Sequence, residues 1–289
     1  MKKSFLFVVC CTLTLPASAS TGWFSSSPLN SSYSALINKN YQLAWEELEI
    51  NLSSQKIPEK YWVPIKNTIL SSTDCGHKLK SFSIKEGNFT VKLINKDMPF
   101  HDGYRIIVSS DLLLKPARVV LTDPNDKSLI VGELVPNPSS ISLISMDFHQ
   151  APKPGIYQLR INGNSHPLII ESFNEERWVT VQNGDLYSPL KVHIPKVPKS
   201  CEPQELLWEW SDVNYKTLGY RDMKIVRDGS SGQDYSRIPN KDFPDNTRYV
   251  SAVVRKVEFQ AGIRVEYVNK VTVINPYYRY SSYFDIKER

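Results

Sequence analysis

Hydrophobic positions along the chain follow two different periods. In the first part Tyr33, Leu36 and Ile37 recur at helical spacing, and Leu43, Ala44, Leu48 and Leu52 then fall on one stripe. Glu46, Glu47 and Glu49 lie largely off that stripe, as expected of an amphipathic helix. Asn38-Lys39-Asn40 is a short link, so the two helices should fold back as an antiparallel hairpin. Ser27-Pro28 supplies a capping serine followed by proline at a first helical position, where the missing N–H costs nothing. Pro58 opens a third, short helix carrying Tyr61, Trp62, Ile65 and Ile69.

From about Phe82 the period changes to two. Phe89, Val91 and Leu93 alternate with Thr90 and Lys92, the pattern of a half-buried strand. Apolar runs follow at 105–108, 117–121, 129–135, 141–146, 156–161 and 167–171, separated by clusters such as Asp123-Pro124-Asn125-Asp126 and Asn162-Gly163-Asn164. Short strands at this spacing predict an antiparallel sandwich. Pro154-Gly155-Ile156-Tyr157-Gln158-Leu159-Arg160-Ile161 resembles a strand of immunoglobulin-like bacterial surface modules, which implies a fold rather than an activity. Prolines 195, 198 and 203 then punctuate the chain around Cys201, and further runs occupy 206–210, 223–226, 249–259, 263–268 and 271–274. Segments 178–181 and 190–194 also read as strands, Ala261-Gly262 as a turn, and 227–234 as a polar surface loop.

The fold expected is therefore α+β and mainly β: a short N-terminal helical hairpin followed by two immunoglobulin-like antiparallel β-sandwich domains. The boundaries are a signal peptide over 1–19, a helical segment over 20–78, a sandwich over 79–175, and a second sandwich with an aromatic C-terminal tail over 176–289.

The first residues change the reading of the cysteines. Lys2 and Lys3, an apolar run from Phe5 to Leu15, and Ala17-Ser18-Ala19 have the form of a secretory signal cut after Ala19. The run is shorter than the roughly 20 apolar residues that span a bilayer, and no later stretch reaches that length. The expected location is periplasmic, or secreted, without a transmembrane segment once the signal is removed. Cys10 and Cys11 leave with the signal, so Cys75 and Cys201 are the thiols that remain, and an oxidising compartment favours their pairing. On the chain-entropy account a bridge closing so long a loop contributes about 4–5 kcal/mol. Without Lys2 and Lys3 the chain holds 33 basic and 30 acidic residues, with no polybasic run, so neither nucleic acid nor an anionic membrane surface is indicated as a partner.

Catalytic signatures do not emerge. His77, His101, His149, His166 and His193 stand far apart, and Asp74-Cys75-Gly76-His77 offers too few ligands for a zinc site, so no metal and no cofactor are expected. His101-Asp102-Gly103 reads as a turn between strands, and His193 as an outward strand residue. Gly229-Ser230-Ser231-Gly232 lacks the spacing of a nucleophile elbow. Aromatic residues are more informative. Trp208 and Trp210 share a strand face if extended, and such a pair serves either as a stacking platform or as core. The terminal Tyr277, Tyr278, Arg279, Tyr280, Tyr283 and Phe284 form a dense cluster of the residue types enriched at interfaces.

Gly22-Trp23-Phe24, Ser27-Pro28-Leu29 and Asp74-Cys75-Gly76 are similar to landmarks of an uncharacterised family of exported Gram-negative bacterial proteins of this length, found in marine species. That resemblance implies an envelope-associated role, in stress or maintenance, and no catalytic residues. The function expected is a non-catalytic periplasmic protein that contacts another envelope protein. The alternative is a glycan- or peptidoglycan-binding protein, with hydrolase activity as an extension of that reading.

Overall fold

The structure, a computed structural model, describes residues 27–276 apart from 81–83, 85, 100, 137–140, 174–176, 182–188 and 241. The signal-like residues 1–19 lie outside that range.

Three helices come first: α1 (Asn30–Ile37), α2 (Tyr41–Ser54) and α3 (Glu59–Ser72). Ser27-Pro28 forms a turn ahead of α1 rather than its cap, since the Ser27 carbonyl accepts from Asn30 N and its hydroxyl from Leu29 N. The cap on α2 is Asn40, whose side chain accepts from Leu43 N at 3.2 Å. On α2 the buried stripe is Ala44, Trp45 and Leu48, while Leu43 is exposed. The helix is turned by one position from the expected stripe because that places the largest ring, Trp45, inside. The third helix equals α2 in length and continues through Pro64, burying Trp62, Ile65, Lys66, Ile69 and Leu70. A lysine in that set is the first irregularity of the structure.

Fifteen strands follow among the described residues: β1 (Gly87–Met98), β2 (His101–Leu113), β3 (Ala117–Thr122), β4 (Ser128–Leu134), β5 (Ile141–Ile144), β6 (Gly155–Ile161), β7 (Asn164–Ile170), β8 (Val179–Thr180), β9 (Leu190–Val192), β10 (Glu205–Ser211), β11 (Thr217–Asp222), β12 (Val226–Arg227), β13 (Asp234–Ser236), β14 (Tyr249–Gln260) and β15 (Ile263–Ile274). The runs 263–268 and 271–274 are one strand, continuous through Asn269 and Lys270. The 223–226 run is strand only at its end, and the exposed edge strand β11 precedes it. His101-Asp102-Gly103 is not the turn; it opens β2, opposite Met98, Asp97 and Lys96.

These strands form a seven-stranded sheet, ordered β11-β10-β14-β15-β1-β2-β5, and two four-stranded sheets, β4-β3-β6-β7 and β12-β13-β9-β8. Among the described residues every pairing is antiparallel except one: β1 runs parallel to β15, from Thr90 against Arg264 to Asp97 against Val271. Strands β1–β7 supply both layers of one sandwich and β8–β15 both layers of the other. The single parallel pairing fuses their larger sheets into one, and a continuous apolar core runs beneath it. The inner face of the fused sheet carries Val91, Val108, Val265, Ala252 and Trp208, all buried. Its outer face is laced with ion pairs, including Lys92–Glu266, Arg255–Glu205 and Lys270–Glu209.

The helices form a third layer over the outer side of β6–β7, where Ile156 and Ile169 join Trp45, Leu48, Trp62 and Ile69 in a separate core. Beyond α3 the chain is clasped to the second sandwich. Cys75 and Cys201 are bonded, with Cα atoms 4.5 Å apart. Asp74, Cys75 and Gly76 take φ values of 56°, 53° and 90° in succession. This tight turn carries Cys75 O to Phe259 N at 3.0 Å. A Cβ on Gly76 would lie 1.8 Å from Phe259 O, so only glycine fits there.

Replacing both cysteines by serine should lower unfolding stability by about 4–5 kcal/mol. Urea titration measures it, and reductant should reproduce the loss in the native protein and leave the double variant unchanged.

Glu49 on α2 gives a second test. Burial pushes its carboxyl up to about 7, against the opposing hydrogen bond from Trp45 Nε1 at 2.6 Å. The folded form thus holds a proton that the unfolded chain has lost above its ordinary pKa. Stability is therefore fully present below about 4.5 and falls as pH rises towards 7, by at most about 3 kcal/mol. Glu49→Gln should flatten that part of the stability–pH curve.

Candidate functional site

The inner face of the fused sheet is covered by two separate small sheets, and polar side chains gather where they part. Lys256, Glu258 and Gln260 alternate along β14 and point inward, and Tyr267 of β15 sits opposite Lys256. Glu171 follows β7 directly. Into this group α3 inserts Lys66, fully buried, with Nζ 2.7 Å from Glu258 Oε1 and 2.9 Å from Glu171 Oε1. Lys256 Nζ donates to the other oxygen of Glu171 at 3.0 Å. The Tyr267 hydroxyl donates to Glu258 at 3.3 Å and accepts from Glu171 N at 3.1 Å. Gln260 completes the set, accepting from Ile169 N at 2.7 Å and donating to Ile169 O at 2.9 Å. Its amide thus stands in for the strand that the open edge of β7 lacks.

Two lysines and two glutamates make the cluster neutral. Burial works against the Lys66 ammonium, but Glu171 and Glu258 outweigh it and hold its pKa above the ordinary value. Burial likewise opposes the Glu171 carboxylate, and Lys256 with Lys66 reverse that effect and hold it low. Burial, reinforced by the charges of Glu258 and Glu171, drives the Tyr267 phenol well up. Lys66 therefore stays an ammonium and Tyr267 stays protonated. The group is a clamp between α3 and the sheet rather than a poised nucleophile or base.

A cleft of about 480 Å³ opens beside the clamp. One wall is the start of α3, with Glu59, Lys60 and Val63; the other is Trp178 with residues 193–196; Lys256 and Tyr267 form the floor. Glu59 is held in place by Ser172, whose N–H and hydroxyl donate to it at 2.7 and 2.5 Å. A second hollow of about 430 Å³ shares His193 with the first and adds Arg177, Thr180, Lys191 and Gln233. Arg177 is paired with Asp97.

The residues singled out from sequence are differently placed. Cys75 and Cys201 meet as expected. Trp208 and Trp210 do share a face, but it is the inner one: they are 1% and 4% exposed, opposite Ala252 and Val250, with Trp210 edge-on to Phe243. Buried rings cannot stack on a sugar, so this pair belongs to the core. Tyr277, Tyr278, Arg279, Tyr280, Tyr283 and Phe284 lie outside the described residues. His101 contacts Asp147 at 3.2 Å rather than its neighbour Asp102. Arg105 and Lys96 also bind Asp147 and hold its carboxyl well below the usual range, the Arg105 hydrogen bond contributing most. His77 packs on the Phe259 ring with centroids 3.7 Å apart. No group of three or more metal-ligating side chains forms among the described residues.

The clamp residues were not singled out in advance. One sign of them was present: Lys66 sits on the Trp62, Ile65 and Ile69 stripe, where a charge would be expected to have a buried counter-charge.

A family model described as "Protein of unknown function (DUF2861)" matches residues 23–275. The chain belongs to the DUF2861 family. No curated protein matches it. Among solved structures, a Salmonella alpha-2-macroglobulin reacted with methylamine matches with a TM-score of 0.22 and 12% identity over 68% of this chain. The DUF2861 chain spans only 15% of that protein's length.

Lys66→Met should cost about 3–5 kcal/mol, because it strands the buried carboxylate of Glu258 and leaves Glu171 with Lys256 alone. Adding Glu258→Gln to K66M keeps the cluster neutral and should recover part of the loss. Chemical denaturation of the single and double variants measures both; equal stability of K66M and the native chain would contradict the clamp.

Proposed function

We propose that this DUF2861 protein is an exported, non-catalytic protein of the cell envelope, located in the periplasm, which acts by binding a protein partner. Export is supported by the Cys75–Cys201 bond, which persists in oxidising compartments, together with the form of the first nineteen residues. No helix among the described residues is long and apolar enough to cross a membrane.

The observation that carries partner binding is an apolar rim on the first sandwich. Strands β4 and β5 are the outer strands of the two facing sheets, and they lie against one another. Gly132 permits this approach, since a Cβ there would lie 2.7 Å from the Leu143 side chain. On the two flanks of this seam Val131 and Val135 on the β4 side, and Leu112, Ile144 and Met146 on the β2–β5 side, are each more than half exposed, as is Leu114. Large apolar side chains on both flanks of one sandwich edge, with unpaired strand edges between them, support a protein-binding surface. The aromatic segment from Tyr277 to Phe284 is proposed as a second contact on its composition.

Affinity capture from envelope extracts, read by mass spectrometry, tests this reading. A Val131→Asp/Met146→Asp variant should recover about tenfold less of the specific partner, with an unchanged circular dichroism spectrum. Equal recovery would remove the rim from the interface. Unchanged partners after deletion of 277–289 would remove the tail.

A further inference from the structure

Another hollow, of about 500 Å³, lies at the end of the first sandwich, where the β3–β4 turn faces the chain that follows β5. Every residue that flanks its lining in sequence is among the described ones. Leu129, Phe148 and Pro152 are half-buried along its walls, and beneath them Ile106 and Tyr157, already buried, close the bottom. Both lips are fixed by the chain's own hydrogen bonds. Asp123 Oδ1 accepts from Asn125 N at 2.8 Å and from Lys127 N at 2.9 Å, and the Tyr157 hydroxyl donates to Lys153 O at 2.8 Å. Phe148 exchanges two backbone bonds with Tyr104, each 2.8 Å long. A guest therefore meets a formed site and does not have to order one.

Place and shape narrow the guest. Leu129 stands two residues from Val131, and Phe148 two residues from Met146, so the hollow continues the apolar rim from both flanks of the seam. Small-ligand sites have volumes of roughly 300–1,000 Å³ and enclose most of the ligand. This hollow has such a volume but is open along one side. A free molecule would keep that side wet, whereas a side chain carried by a bound protein is covered there by its own backbone. The closed bottom excludes a long acyl chain. Asp123 stands at the lip with Lys127 and Lys153, so charge does not select the guest. Apolar walls below a lip of Asn125, His149 and Gln150 suit a ring with one polar group. We infer that the hollow takes a tryptophan or tyrosine side chain of the protein partner, as the anchor of the contact that the rim begins. Aromatic anchors seated in formed pockets carry much of the energy of such contacts. The inference rests on the protein-binding reading and deepens it.

Methyl-resolved NMR of the oxidised protein, titrated with N-acetyl-tryptophanamide, tests it. Saturable shifts of the Ile106, Leu129 and Ala151 methyl groups are expected, with a weaker response to N-acetyl-leucinamide. Ala151→Trp fills the hollow from its own lining and should weaken the probe by about tenfold. Leu129→Ala removes wall instead of adding bulk and should also weaken it, and thermal unfolding shows that each variant is folded. The inference is overturned if the probe gives no saturable shift, or if the folded variants bind it like the native chain. Tighter binding of the leucine probe, or of decanoate, at the same methyl groups would assign the hollow to an aliphatic guest and overturn the aromatic one. Affinity capture separates the anchor from the rim. With the probe bound by the native chain, a partner lost from both V131D/M146D and A151W supports both ideas. A partner lost from V131D/M146D alone sinks the anchor and leaves the rim. One lost from A151W alone sinks the rim and leaves the anchor, and one retained by both variants sinks both.

Discussion

One broad sheet faced by two narrower ones must have a seam, and the packing of this protein turns on how that seam is closed. The parallel pairing of β1 with β15 makes the seven-stranded sheet continuous, while the opposing layer stays divided between β7 and β8. At the division β7 presents an edge whose N–H and C=O groups have no neighbouring strand. Buried backbone groups left unpaired would each cost about 1–3 kcal/mol. Gln260 meets the edge at Ile169 with a donor and an acceptor, and its presence draws in Glu258, Tyr267, Lys256, Glu171 and Lys66. A buried charge is tolerated only when paired and bonded, so the set must balance, and it does.

The helical layer follows from the same constraint. Helices α1–α3 cover the outer side of β6–β7 with an apolar face, which alone would fasten them to the first sandwich. Lys66 and the Cys75–Cys201 bond instead bind α3 to the second sandwich as well, one through charge and one covalently. The two attachments lie on the same helix and its C-terminal turn. Their combined effect is to add a charged and a covalent attachment between the sandwiches to the β1–β15 pairing and the apolar core beneath it.

Much of this was legible locally. The alternation at 89–93, the Asn162-Gly163 and Ala261-Gly262 turns, and the pairing of Cys75 with Cys201 each depend on neighbours in sequence or on the few cysteines available. What stayed hidden was non-local. Strand β14 is buried on nearly every residue, so its period of two vanishes and inward Lys256 and Glu258 read as ordinary surface charge. That Trp208 and Trp210 share a face follows from the strand alone, but which face is inward depends on Ala252 and Val250 across the sheet. His101 beside Asp102 suggested a turn, whereas its actual partner Asp147 arrives from a segment after β5.

The seam also divides the work of the interior charges. Closing it consumes Glu171 in pairs with Lys66 and Lys256, and Glu258 in a pair with Lys66. These desolvated pairs fix α3 against the sheet and project little field beyond it, because opposite charges at short range cancel. The helix is thus held by charge without carrying a net charge into the core, which is the condition on which a buried ion cluster is tolerated.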